Sequence, residues 1–262
     1  MHGEGTPGST QNNLSGRVAI VTEGGRGIGR QICLTFAACG VIPIVVGTDL
    51  AVVKHVADEA SRLGVKAMAF RADVRSYGES QDVTAAVVAA TGRIDILVNN
   101  AGIQQAKPLL ELSEEEWDRT IEVHLKGAFN WAQAVLPYML RQRWGRIISM
   151  SSMVAKHGGA FPAVSKTAYA AAKAGLLGFT RGLAREVAPY VTANAICPGV
   201  IETEMARPLL TPETRHLVLA QIPLARLGTP QDIANVVAFL ASDAGGYITG
   251  EEIDVNGGVY ID

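Results

Sequence analysis

Cysteine is scarce: Cys33, Cys39 and Cys197 are the 3 such residues among 262. Their spacing forms no metal or redox motif, which excludes a zinc module, a disulfide framework and dithiol chemistry as organising principles. All three read as buried thiols in a reducing compartment, so the expected location is cytoplasmic. Charge of one sign is also lacking. The net charge is −2 with 18% charged residues, which leaves no basic face for nucleic acid. No apolar run approaches the roughly 20 residues of a membrane span, so no membrane partner is expected. Residues 1–13, MHGEGTPGSTQNN, lack the apolar core of a signal peptide and read as a flexible polar tail. What is present is a chain that is 48% hydrophobic and long enough for a substantial core. Residues 14–262 therefore read as a single domain.

Short apolar runs alternate with helical patterns. Strands are expected at RVAIVT (17–22), VIPIVVG (41–47), VKAMAF (65–70), IDILVNN (94–100), GRIISMSS (145–152), VTANAIC (191–197) and EEIDVN (251–256). Pro43 cannot donate to a ladder and has to sit near the start of its strand. Helices are expected from about Gly27 to Cys39, over 166–187 and after Thr229-Pro230, whose hydroxyl and ring suit an N-cap and the first helical position. Ser113 and Glu116 form a capping box at the start of a long helical segment. Strands apolar on both faces, alternating with helices, define a parallel sheet covered on both sides. Right-handed crossovers make it doubly wound, a seven-stranded α/β architecture of Rossmann type.

In such a sheet, ligands bind beyond the carboxyl ends of the strands. The stretch V-T-E-G-G-R-G-I-G-R (21–30) lies there, between the first strand and first helix. Gly24, Gly25, Gly27 and Gly29 permit close backbone approach, and the new helix aims unpaired N–H groups at an anion. Asn99-Asn100-Ala101-Gly102 ends the fourth strand, and Asp73-Val74 the third. Tyr169-Ala-Ala-Ala-Lys173 places a phenol and an ammonium on one helix face. A cation near the phenol lowers its pKa from about 10, which suits proton exchange with a carbonyl or alcohol oxygen.

These motifs resemble the short-chain dehydrogenase/reductase family over nearly all of residues 14–262. The resemblance implies a nicotinamide dinucleotide held by Thr22, Gly24, Gly25, Arg26, Gly27, Ile28, Gly29, Thr48, Asp73, Val74, Asn100, Ala101 and Gly102, with Asn99 in the supporting turn. It makes Tyr169 the general acid/base, Ser152 the hydrogen-bond partner of the reacting oxygen, and Lys173 a holder of the nicotinamide ribose. It places Pro198, Gly199, Ile201 and Thr203 around the nicotinamide. The implied reaction is hydride exchange with a small carbonyl/alcohol substrate, in a homotetramer or homodimer joined through the apolar faces around 176–184 and the last strand. The glycine loop and chain end resemble 3-oxoacyl-acyl-carrier-protein reductases, and equally sugar-alcohol, steroid and ketone reductases. Of the two arginines that dock the carrier in the former, Arg143 matches the first and Tyr190 stands at the second. The mixed segment 204–227 is expected to be a lid or part of the core.

Three positions and one stretch depart from the family pattern. Gly47 occupies the place of the acid that marks NAD enzymes. Its absence and the presence of Arg26 favour NADP, while Asp49 keeps NAD open. His124 stands for the family's catalytic Asn, whose backbone carbonyl does most of the work, so a backbone role at this catalytic position survives, with an added acid/base as the alternative. The stretch 156–167 is longer than usual between Ser152 and Tyr169, with Ser151 as an alternative serine. Glu23 stands for the first loop glycine. At ~5–6 Å and an effective dielectric near ~20, its repulsion of a phosphate would be roughly 3 kcal/mol, and the alternative to an enzyme is therefore a cofactor-impaired binding or scaffold protein of the same fold. Alternatively its carboxylate turns to solvent, or fills the anion site at the helix N-terminus.

Overall fold

The computed structural model describes residues 13–158, 166–207 and 210–261. Seven strands form one sheet in the order β3-β2-β1-β4-β5-β6-β7, with every pairing parallel. They are β1 (Val18–Thr22), β2 (Ile42–Gly47), β3 (Met68–Arg71), β4 (Ile96–Asn99), β5 (Gly145–Met150), β6 (Val191–Pro198) and β7 (Glu252–Val255). The helices between them are α1 (Gly27–Ala38), α2 (Leu50–Ser61), α3 (Tyr77–Thr91), α4 (Glu114–Ile121), α5 (Gly127–Gln142), α6 (Val154–His157), α7 (Thr167–Val187), α8 (Pro212–Ala220) and α9 (Pro230–Ala241). The chain winds outward from β1 to β3, then returns and winds the other way from β4. A crevice therefore opens at the carboxyl ends of β1 and β4.

Strand periodicity divides the core between the two faces. Ala19 and Val21 of β1 join Phe36 of α1, Val53 of α2 and Val237 of α9 on one side. Val18 and Ile20 join Val87 of α3, Trp131 and Met139 of α5 and Val187 of α7 on the other. Each large side chain so buried contributes about 1.5–3 kcal/mol. Leu14 is wholly buried in the first cluster. At the far end of the sheet from the crevice, the buried Asp95 carboxylate accepts from Arg17 at 3.0 Å, from Arg93 at 2.7 Å and from the Val18 N–H at 2.9 Å.

Pro43 sits second in β2, opposite Ala19 of β1. Ile42 donates to Arg17 on the β1 side, so Pro43 faces the other edge, and pairing there starts only at Ile44 with Met68. The missing donor thus breaks no bond. β3 begins three residues later than the sequence suggests. The capping boxes of Ser113 with Glu116 and of Thr229 with Asp232 are both formed. The long helical segment between 114 and 142 is not uniform: a π turn at Glu122–Lys126 separates α4 from α5 and carries His124. Such turns occur often at functional sites. Cys33 and Cys197 are buried, but Cys39 ends α1 at the surface and is exposed, contrary to its sequence reading. Among the described residues, no helix is long and apolar enough to cross a membrane. The tail, except Asn13, and most of the longer 156–167 stretch lie outside the described residues.

Candidate active site

The turn after β1 is held to the end of β4 by one hydroxyl and one side-chain amide. Thr22 Oγ1 donates to the Val98 carbonyl at 3.3 Å and accepts from the Asn100 and Ala101 N–H groups, each at 3.0 Å. Asn100 Nδ2 donates to the carbonyls of Thr22 and Glu23 at 3.0 and 3.2 Å. Thr22, Asn100 and Ala101 thereby brace the two strand ends that form the crevice. Asn99 is buried, and its side-chain amide finds no partner among the described residues.

The glycines have different tasks. Gly24 donates its N–H to Val46 at 3.0 Å, and a Cβ there would stand 2.9 Å from Val45. A Cβ on Gly25 would stand 2.8 Å from Val52. Both pack the turn against β2 and α2, and the Gly24 N–H is committed within the protein rather than offered to a phosphate. On Gly29, a Cβ would come within 2.3 Å of the Glu23 carbonyl. Gly27 adopts φ 49°, with Thr203 beside it, so the glycine loop and the segment after β6 meet across the crevice. α1 starts without a side-chain cap, unlike α2, α3, α4 and α9, and like α2 it has no acid in its first turn. Arg26 is exposed at its N-cap.

At the end of β2, Asp49 Oδ1 accepts from the Ala51 and Val52 N–H groups at 3.0 and 3.3 Å. It is the cap of α2, and this explains its presence without reference to a ribose. Glu23 takes φ 49°, the left-handed conformation a glycine would favour. Its carboxylate accepts from the Thr48 N–H and lies over Gly47. It therefore neither fills the α1 terminus nor points freely into solvent. Burial raises its pKa, against the lowering effects of the Thr48 N–H and Arg26. Asp73 is half-buried and pairs with Arg75 at 2.6 Å, which holds its pKa below the usual carboxylate value. Val74 is buried, its carbonyl accepting from Asn130 at 2.9 Å.

The chemical groups converge beyond β5. Ser152 hydrogen-bonds Tyr169 and accepts from the Val154 N–H at 3.2 Å. Ser151 instead donates to the Lys173 carbonyl at 2.8 Å, which ties β5 to α7 and leaves Ser152 as the serine at the phenol. Lys173, four residues after Tyr169 on α7, donates to the Met150 carbonyl at 2.6 Å and lies 5.6 Å from the Tyr169 ring centre. Burial lowers the Lys173 pKa to about 7 and raises that of Tyr169, although the Ser152 bond opposes the latter. The sequence expectation of a phenol depressed by its lysine is not met in this state. Both groups are desolvated, and desolvation disfavours each charged form.

His124 meets the Tyr169 ring edge-on at 5.2 Å. Its Nε2 lies 3.2 Å from the Ile103 nitrogen and 2.9 Å from the Ile103 oxygen. Burial first, and the Lys173 charge second, push its pKa down to about 3, so the ring is neutral at ordinary pH. A Cβ on Gly102 would stand 2.7 Å from His124 Cε1, so the small residue in the turn makes room for the imidazole. The Met150 and Ile103 partners are backbone groups with no signal in their residue types.

After β6, a Cβ on Gly199 would meet the Asn256 backbone at 2.7 Å, and Ile201 is buried and bridged to Gly228. Pro198 ends the strand, with its carbonyl accepting from Met153 at 3.1 Å. Part of the expected lid is core. Val218 of α8, Ile222 and Leu227 pack with Val200 and Val259. No group of three or more His, Cys, Asp or Glu that could hold a metal occurs among the described residues.

Two ends of one crevice, an uncapped helix terminus behind a glycine turn and a Ser–Tyr–Lys cluster, define a dinucleotide-dependent oxidoreductase of the doubly wound class. Comparison with known proteins agrees. A family model described as enoyl-(acyl carrier protein) reductase matches residues 24–260. The chain is 43% identical over 250 residues to the 3-oxoacyl-[acyl-carrier-protein] reductase FabG of Escherichia coli (strain K12), covering 95% of this chain and 99% of the relative. It is 43% identical over 249 residues to that of Aquifex aeolicus (strain VF5), covering 94% and 98%. The crystal structure of gox2181 superimposes with a TM-score of 0.89 at 33% identity, over 94% of this chain and 96% of that one. The chain belongs to the short-chain dehydrogenase/reductase family. It is an NAD(P)-dependent oxidoreductase, and the crevice suits that cofactor: the helix terminus is uncapped and the turn beside it has no room for side chains at Gly24, Gly25 and Gly29.

Proposed function

We propose that this chain interconverts a carbonyl and an alcohol, with Tyr169 as the proton carrier. The carrying observation is the junction of Ser152, Tyr169 and Lys173 at the end of β5, where Ser152 bonds the phenol and Lys173 is buried beside it. A bound dinucleotide supplies or accepts the hydride at its nicotinamide C4. Thr22 and the Asn100 turn hold the crevice open, while the α1 N–H groups and Gly27 receive the pyrophosphate. Pro198, Gly199, Ile201 and Thr203 line the nicotinamide end, with Thr203 next to Gly27. In the reducing direction, the phenol proton of Tyr169 passes to the substrate oxygen as the carbon gains hydride. Ser152 donates its one hydroxyl proton to that oxygen, in place of its bond to the phenol. Lys173 stabilises that phenolate with whatever positive charge it retains, and its Met150 bond fixes where the amine stands. His124, neutral at ordinary pH, serves through the π-turn backbone.

The relatives named above are reductases of a 3-oxoacyl group on a carrier protein. From them we take the 3-oxoacyl thioester as the substrate class. Arg143 stacks on the Tyr190 ring at 4.4 Å, so this pair presents one cation where two arginines would dock a carrier. A thioester on coenzyme A should therefore serve nearly as well as one on the carrier. The reading keeps the protein cytoplasmic and its assembly a dimer or tetramer. The expected interface changes in detail, however. Leu176, Leu177 and Leu183 are buried within the chain, whereas a Cβ on Gly178 or Gly182 of α7 would meet nothing within 4 Å. Light scattering at micromolar concentration should give two or four chain masses, and a monomer would remove this part.

Tyr169→Phe tests the mechanism. Turnover should fall by about 10²–10⁴-fold or more, with dinucleotide affinity and circular dichroism retained. A folded Tyr169→Phe protein with wild-type turnover would overturn the assignment.

A further inference from the structure

Glu23 is unexplained by the reaction just described, although it stands in the most constrained turn of the crevice. Its backbone does what a glycine would do, with φ 49° and a carbonyl that accepts from Asn100 at 3.2 Å. The path of the loop is therefore kept, and the side chain is an addition to it. The side chain leaves on the β2 side of the turn. Oε2 and Oε1 lie 3.8 and 3.9 Å from where a Cβ of Gly47 would stand, and the Thr48 N–H donates to the carboxylate. The space beside Gly47, the last residue of β2, is thus bounded by Val53, 2.9 Å from that Cβ, and by a carboxylate that β2 does not itself provide.

That position has a defined meaning in a doubly wound sheet. The adenosine ribose of a bound dinucleotide lies beyond the end of the second strand, and the group there meets its 2′-substituent. A carboxylate accepts from a 2′-hydroxyl and repels a 2′-phosphate. The neighbouring acids are committed elsewhere: Asp49 caps the α2 N-terminus, and Asp73, whose charge adds to the upward shift of Glu23, pairs with Arg75. We propose that Glu23 is a specificity-determining residue, a ribose-reading carboxylate delivered from the glycine loop in place of one on β2. It pulls the site towards NAD(H) relative to the same chain without it. Arg26, exposed at the N-cap of α1, pulls the other way by offering a cation to a 2′-phosphate. The placement also removes the pyrophosphate clash that the sequence suggests, since the carboxylate is tied to Thr48 and lies away from the α1 terminus. Its desolvation favours a further donor, and a ribose hydroxyl is one.

The inference rests on the dinucleotide reading of the crevice. Its test is equilibrium titration of NADH and of NADPH, followed by cofactor fluorescence, with wild type, Glu23→Gln and Glu23→Gly. Glu23→Gly relaxes a positive φ, so that variant folds at least as well as wild type. In both variants NADH should bind more weakly and NADPH more tightly, and Kd(NADPH)/Kd(NADH) should fall tenfold or more. Added salt should lower the same ratio in wild type and leave it less changed in Glu23→Gln, because screening weakens the repulsion of the 2′-phosphate. Equal dissociation constants across the three proteins would overturn the proposal. So would a gain for both dinucleotides by the same factor, which would mean that the side chain only crowds the site. Failure of all three proteins to bind either dinucleotide would instead overturn the cofactor reading beneath it.

Discussion

Lys173 is 3% exposed, and its pKa falls from 10.5 to about 7 on folding. The displacement is a stability statement. Between those values the unfolded chain holds a proton that the folded protein has shed, so folding stability rises with pH across that window. At about 1.36 kcal/mol per unit, burying the charge costs about 4–5 kcal/mol near neutrality and about 2 kcal/mol by pH 9. Lys173→Met removes this cost and its pH dependence. It also leaves the Met150 carbonyl without its donor, a penalty of about 1–3 kcal/mol that does not vary with pH. The neighbouring groups stay silent in the folded protein over this range. His124 is neutral above about 3, Tyr169 is raised above its ordinary 10, and Cys197 is pushed up to about 11. Urea unfolding of both proteins at pH 7 and 9, at one protein concentration, isolates the lysine as a double difference. Wild type should gain about 2 kcal/mol more than Lys173→Met between the two pH values. A double difference of zero or of opposite sign would refute the claim that a desolvated lysine sits here at the expense of stability.

His124→Asn should leave the pH–rate profile unchanged in shape and turnover within about fivefold, because a ring with a pKa near 3 has no charge to lose at working pH. Loss of a limb between pH 5 and 7 in that variant would show that the imidazole titrates in the reaction. Gly29→Ala should weaken dinucleotide binding at least tenfold and lower stability by about 1–3 kcal/mol, since the added methyl would stand 2.3 Å from the Glu23 carbonyl and 2.6 Å from Asn100 Nδ2. Isothermal titration and a thermal melt measure the two effects, and an unchanged melting midpoint would contradict the packing described.

Much of the architecture is legible in local chemistry. The capping boxes at Ser113 and Thr229 mark helix starts because a side-chain oxygen and a backbone donor three residues on are enough to define them. The strands are legible because both faces of the sheet are covered. The α7 pair of Tyr169 and Lys173 follows from helical spacing, and its company with Ser152 from the motif. Long-range and backbone geometry are less legible. The π turn at His124 is a local misfit of hydrogen bonds that residue types do not announce. The partners of Lys173 and His124 are carbonyls or amides brought in from β5 and the Ile103 loop. The Tyr169 shift runs opposite to the expectation for the same reason: a lysine at i+4 suggests a charge, whereas the packing that surrounds both groups decides whether the charge survives.

The most instructive residue is Glu23, because its one-dimensional reading is dominated by the wrong neighbour. In sequence it belongs to the phosphate loop, so charge against pyrophosphate is the natural concern. The direction of its side chain is set elsewhere. A left-handed backbone carries the side chain towards β2, and the carboxylate comes to lie beside Gly47, where Val53 leaves no room for a side chain on β2 itself. Twenty-four positions separate the two residues, and neither alone carries the signal. The missing acid at Gly47 and the surplus acid at Glu23 are one feature seen twice: a negative charge at the end of β2, carried by the adjoining strand's turn. Read singly, the first absence argues for a 2′-phosphate and the second presence argues for a damaged site. Read together, they leave the site intact and its 2′-position guarded by a carboxylate.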